Sequence, residues 1–492
     1  MKPRQQLSWM ALGLTLFLGL SILLNLAPAQ SADPTVQTEQ QKDCSQILIE
    51  ADDLYQGGNQ EGATQLYRQC KVDFPNASAT PTIIPEPVYN IEELGGGDGL
   101  WKNALEGMEN NQQKSKVYFS LVPLTQLYPQ FIPAHIKLTE FCLNDPNFCA
   151  NNAKEGQPKT ASQAIERITE LYPDDPDLLR TKIKVLDQEE KFLEASIAAR
   201  QFSIVYDDYP EAPEFARLAD EYLNKFEDNV QGELVGKTTF GTLINIGSAI
   251  LNNNPTQGLS GLKMISLLVQ GESGFGSQAI SSFTNEQKQR GTLVEDPEII
   301  DYIKGIAGRM TPYMGREFKY EYYVVQDSSI NAFALPGGKV VVNTGAILNA
   351  DSEAELAGLL GHEISHAVLS HGFLKLVQGN LLENLDQVVP LFDQVSPVLN
   401  AQYSQDAERQ ADLLGTRALA SAGYAADGLR DFMMIIKETS ENQPTNYLST
   451  HPAPSERVQY LEKLIVDNGY NRYAYLGVKR HQQIKERLQM LR

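Results

Sequence analysis

Three of the chain's six histidines fall within the twelve residues GHEISHAVLSHG, positions 361–372. His362 and His366 are four apart, so on a helix both imidazoles project from one side. Two imidazoles so placed can grip one zinc ion, while Glu363, about 100° round the helix, can reach a water on the metal. That chemistry is hydrolysis, with the ion acidifying the water and the carboxylate taking its proton. A catalytic zinc needs a third protein ligand and an open fourth position. The run SQDAERQADLLGTRALASAGY, residues 404–424, carries Glu408 and Asp412 four apart on one helix face. Glu408 completes a His₂Glu set, and Asp412 suits a second carboxylate that accepts a hydrogen bond from a ligand histidine and fixes its tautomer. The bland alternative is a pair of hydrogen-bonded helix histidines and two solvated acids.

These residues need rigid elements to carry them. From Ser352 to Gly372 there is no proline, and Leu356, Leu359, Leu360, Ile364, Ala367 and Val368 recur at intervals of three and four, which predicts one largely buried helix. EFKYEYYVVQ (residues 317–326) and GKVVVNTG (338–345) are β-branched and aromatic runs separated by turn residues, so a small sheet precedes that helix. An edge strand beside the metal would hold a peptide extended; Asn331 to Leu335 and Lys339 to Asn343 are the two candidates.

Residues 40–230 read as stacked helical hairpins. Ala51, Gly58, Ala63, Tyr67 and Pro75 sit at offsets 0, 7, 12, 16 and 24, a spacing that resembles the tetratricopeptide repeat. A small-apolar-proline triple at offsets 0, 4 and 12 recurs as Ala161, Ile165, Pro173 and as Ala198, Phe202, Pro210, with a weaker copy at Val117, Leu121, Pro129. A non-repeating helical domain is the alternative, and either one offers surface for a protein partner. The fold class expected is therefore mainly α with a small β-sheet (α+β), with N-terminal tetratricopeptide-like repeats followed by a zincin-like metallopeptidase domain.

Lys2 and Arg4 precede an apolar run from Trp9 to Leu26 and the small-x-small pattern of Ala27 to Ala29, so residues 1–29 read as a signal peptide or a membrane anchor. Export places the protein in the periplasm or an equivalent compartment, where its four cysteines can oxidise. Cys142 and Cys149 bracket an Asp-Pro turn. Cys44 and Cys70 fall at the adjoining ends of two antiparallel helices in the repeat register, and a bridge there would add about 3 kcal/mol in the chain-entropy model. Residues 231–284 form an apolar, glycine-rich connector whose segments are too short to span a bilayer, leaving buried helices or peripheral membrane contact. A net charge of −21 argues against nucleic-acid binding.

Four ordered motifs then resemble a known family: NAFALPGGKVVVNTG (331–345), GHEISH (361–366), AERQADLLG (407–415) and STHPAPSERVQYL (449–461). They are similar to those of the gluzincin peptidases, the group that includes the CAAX prenyl protease and the periplasmic β-barrel assembly-enhancing protease. The resemblance covers roughly residues 285–475 and implies a zinc metallopeptidase domain over 285–492. It implies one zinc ion on His362, His366 and Glu408, Glu363 as general base, Asp412 in support, His451 near the metal or substrate, and Arg457 bracing its loop; His371 reads as structural. In the assembly-enhancing protease the repeats follow the catalytic domain, whereas here they precede it, and the single near-spanning run argues against prenyl-protein processing. The expected function is a zinc endopeptidase acting on exported or membrane-associated, misfolded or unassembled proteins. A periplasmic chaperone or assembly adaptor that seldom cleaves is the alternative, with residues 373–400 as a plug over the metal.

Overall fold

The computed structural model describes residues 34–74, 85–109, 113–237, 271–378, 402–442, 447–451 and 454–491. The expected leader, most of the connector and most of the plug lie outside the described residues. Residues 45–492 form one compact unit, and residues 1–44 form another, described from residue 34 onward as the first part of a helix.

The N-terminal half is helical: α1 (Pro34–Gln56), α2 (Gln60–Cys70), α3 (Asp98–Glu109), α4 (Lys114–Leu127), α5 (Ile132–Asn144), α6 (Pro146–Asn152), α7 (Ala161–Leu171), α8 (Pro176–Gln188), α9 (Phe192–Val205) and α10 (Ala212–Lys237). Caps and prolines set the boundaries locally. Asp175 accepts from the Asp177 and Leu178 amides as α8 begins with Pro176, and Thr160 caps α7. Val117, Leu121, Ala161 and Ile165 share one core, while Phe202 packs in a second with Leu179, Ala195 and Phe215. Cys142 and Cys149 form a disulfide, and Cys44 and Cys70 are also disulfide-bonded.

The second half contains α11 (Gly271–Arg290), β1 (Leu293–Val294), α12 (Pro297–Met310), β2 (Glu321–Val325), β3 (Ala332–Leu335), β4 (Lys339–Asn343), α13 (Thr344–Asn349), α14 (Glu353–Val368), α15 (His371–Gln378), α16 (Gln405–Ser421), α17 (Gly428–Asn442), α18 (Tyr447–Thr450), α19 (Pro454–Asp467) and α20 (Val478–Met490). The protein is thus mainly α with one small mixed sheet, strand order β1-β2-β4-β3. β4 lies inside the sheet, parallel to β2 and antiparallel to β3, so of the two candidate edge strands it is β3 that has a free side among the described residues. Side chains alternate between two cores, as a strand period of two requires. Val340, Val342, Ala332 and Ala334 face α14, whereas Val341 and Leu335 pack with Leu193 and Ile197 of α9.

Ala51, Ala63 and Tyr67, which spacing groups with the later repeats, are buried in the core of the second half with Ile299 and Ile303. Asp52 fastens them there, accepting from Tyr67 Oη at 2.7 Å, Leu476 N at 2.8 Å and Val478 N at 3.0 Å. Through these bonds one buried carboxylate holds the first helix pair to the chain's C-terminal segment.

Helix α14 is buried on nearly every side, which demands close neighbours. A Cβ on Gly358 would lie 2.3 Å from Leu429 N, and one on Gly428 would lie 2.1 Å from Ala354 O, so α14 and α17 cross in backbone contact. Gly358→Ala is expected to lower unfolding stability by about 2 kcal/mol, because a rigid backbone must shift to admit the methyl. Denaturant midpoints would measure it, and a change below about 0.5 kcal/mol would mean that the crossing is looser than it looks.

Candidate metal centre

Ser352 caps α14, its Oγ accepting from Glu355 N, and the helix runs unbroken through both histidines to Val368. Helix α16 crosses it with Gly415 against the turn before His362; a Cβ on Gly415 would stand 2.9 Å from His362 N. That approach carries Glu408, two turns earlier on α16, up to the histidines. Helix α18 delivers His451 from the other side, and α19 delivers Arg457.

One donor atom from each of His362, His366, Glu408 and His451 lies within 4.8 Å of the others. The Nε2 atoms of His362 and His366 are 3.0 Å apart, and they stand 3.6 and 3.5 Å from the Glu408 carboxylate. His451 Nδ1 is 2.8 Å from Glu408 Oε1. Glu363 places Oε1 3.6 Å from His451 Nε2, and that oxygen is buried without a hydrogen-bond partner. Asp412 Oδ1 lies 3.0 Å from His362 Nδ1.

Burial drives the electrostatics. It holds His362 below the ordinary imidazole range and His366 well below it, so both rings are neutral, the state that binds a metal. Burial also pushes the Glu363 carboxyl up to about 7. For Glu408 burial acts upward too, but the neighbouring His451 and Arg457 outweigh it and keep the carboxyl ionised. Arg457 donates to Asp412 through Nε at 2.9 Å and Nη2 at 2.6 Å and pairs with Glu408 at 2.7 Å. It therefore clamps the carboxylates of α16 together.

A divalent ion fits this arrangement. Two imidazoles whose Nε2 atoms stand 3.0 Å apart and an ionised carboxylate converge on one point, the nitrogen and oxygen donor set that suits such a cation. The spacing of His362, His366, Glu408 and Asp412 made them visible in sequence. The backing of His366 was not. His371, read as structural, sets Nδ1 2.9 Å from His366 Nδ1 and Nε2 3.2 Å from Gln410 Oε1. Tyr403 stacks on His366 at 3.9 Å and Tyr447 on His451 at 4.3 Å. Gln410 could have been suspected from its place between Glu408 and Asp412, but nothing local marks either tyrosine.

A buried His₂Glu group on two crossed helices, beside the free edge of a small sheet, defines a metallopeptidase domain. Residues 295–465 match Peptidase family M48. The chain is similar to the beta-barrel assembly-enhancing protease of Yersinia pestis, with 27% identity over 198 residues, 36% of this chain and 41% of the relative. It is also similar to the mitochondrial metalloendopeptidase OMA1 of Arabidopsis thaliana, with 34% identity over 149 residues, 29% of this chain and 31% of the relative. The human mitochondrial metalloendopeptidase OMA1 is 31% identical over 172 residues, 30% of this chain and 33% of the relative. The chain thus spans about a third to two fifths of the length of these curated relatives.

Proposed function

We propose that the chain is a zinc-dependent endopeptidase that cleaves exported or membrane-associated proteins that are misfolded or unassembled. The observation that carries this reading is the buried His362, His366 and Glu408 donor set with Glu363 one residue along. Zinc held there by one ion per chain would supply Lewis-acid chemistry, polarising a carbonyl and acidifying water. Glu363 accepts a proton from the attacking water and returns it to the leaving amine. Asp412 fixes the His362 ring, and Arg457 holds Asp412 and Glu408 in place. The free edge of β3 takes an extended peptide, with Ala334 N already turned to Glu363.

Two roles for His451 follow from its position. As an oxyanion donor it would present Nε2 to the tetrahedral oxygen, and His451→Ala would lose about 10²- to 10³-fold in kcat. As a fourth ligand it would close the centre, a reading favoured by its membership of the donor group, and the same variant would gain activity. Steady-state cleavage of a quenched peptide separates the two by sign.

Export is supported by the disulfide-bonded state of the cysteines, which suits an oxidising compartment. No described helix is long and apolar enough to cross a membrane. The helical region over 40–230, taken as tetratricopeptide-like, would engage a protein partner or deliver substrate; most of the sequence assigned to peripheral membrane contact lies outside the described residues. The test is cleavage of an unfolded protein by wild type and by Glu363→Gln, with metal content measured on both. An adaptor that does not cleave would leave the two indistinguishable.

A further inference from the structure

The geometry points to a hydrogen-bond relay, Asp406–Gln410–His371–His366, that decides which ring nitrogen of His366 is bare toward the donor cluster, making Gln410 and His371 positioning residues of that centre. The inference rests on the metal-site reading above. Each bond in the relay is forced by the one before it. A carboxylate can only accept, so the Gln410 amide turns its NH₂ to Asp406, with Nε2 donating to Oδ2 at 2.9 Å. Oε1 of Gln410 then faces His371 Nε2 at 3.2 Å, and an acceptor there requires the proton on that nitrogen. A neutral imidazole carries one ring proton, so His371 Nδ1 is bare. It faces His366 Nδ1 at 2.9 Å, and His366 must therefore donate. The lone pair of His366 is left on Nε2, the atom 3.0 Å from His362 Nε2 and 3.5 Å from Glu408.

His371 reaches this place only because the chain turns. Continued as helix, it would lie about 140° round from His366 and could not stand behind it. Ser370 instead adopts φ 60°, a left-handed conformation that is costly for a non-glycine residue. Side chains from three other elements hold the turn. Arg316 donates to Val368 O at 3.2 Å and to Ser370 Oγ at 2.9 Å, Ser370 Oγ donates to Glu272 at 2.6 Å, and Gln201 of α9 donates to Leu369 O at 2.8 Å. The two ligand histidines are thus backed differently, His362 by the Asp412 carboxylate and His366 by a neutral imidazole.

The test is long-range ¹⁵N–¹H NMR on zinc-loaded, ¹⁵N-histidine-labelled full chain, combined with zinc affinity by chelator competition. The expected spectrum has His366 protonated at Nδ1 and His371 protonated at Nε2 with a bare Nδ1. Gln410→Leu should release His371 to its other tautomer and weaken zinc about 10- to 100-fold. His371→Leu should do the same, while His371→Gln, which keeps an oxygen acceptor for His366 Nδ1–H, should stay nearer wild type. A proton on Nδ1 of His371 in the zinc-loaded wild type, or unchanged affinity in both leucine variants, would overturn the relay. Wild type that takes up no zinc would instead end the metal-site reading itself.

Discussion

Glu363→Gln is expected to keep its fold and its metal and to lose peptide-bond hydrolysis by about 10²- to 10⁴-fold. Glutamine matches glutamate in shape, so it preserves packing in a site where Glu363 is 1% exposed. It cannot accept a proton, and no other carboxylate among the described residues stands free to replace it. Glu408 is spent on His451 and Arg457, and Asp412 on His362 and Arg457. The measurement is kcat/KM on a quenched peptide, with metal content and circular dichroism as controls. Cleavage at the wild-type rate would assign the base elsewhere.

The second large effect is on the metal. Wild type is expected to hold about one zinc per chain, and His366→Ala to lose most of it, since the variant breaks the helical histidine pair that anchors the His₂Glu set. The variant removes one Nε2 donor and leaves His371 facing a cavity, so affinity and local order fall together. Elemental analysis of dialysed protein gives the stoichiometry. A thermal scan with and without added zinc gives a second reading, because a ligand bound only to the folded state raises the midpoint of wild type and not of the variant. Full zinc retention by His366→Ala would remove that histidine from the ligand set.

Much of the metal centre was legible because its parts are local. His362 and His366 share one helix, and the i, i+4 relation places their rings together whatever the rest of the chain does. The same holds for Glu408 and Asp412, and for the helix and strand assignments, which follow from periods of 3.6 and 2. The β-rich stretch was located, yet the middle strand Ala332–Leu335 became certain as the edge only once β2 was found to pair in parallel with β4. Either order of these strands satisfies the same alternation of apolar residues.

By itself the sequence determined the catalytic helix, the pair of histidines on it, the acid between them, the carboxylates of the second helix and the predominance of α structure. Only the tertiary structure decided which faces meet. It put Ala51, Ala63 and Tyr67 into the catalytic-half core, turned Arg457 onto Asp412 and Glu408, and brought His371 behind His366 through a turn held by Glu272, Gln201 and Arg316. Periodicity records that a face is buried but not what buries it. Arg316 and Glu272 are 54 and 98 residues from Ser370, and no local spacing carries a contact of that length.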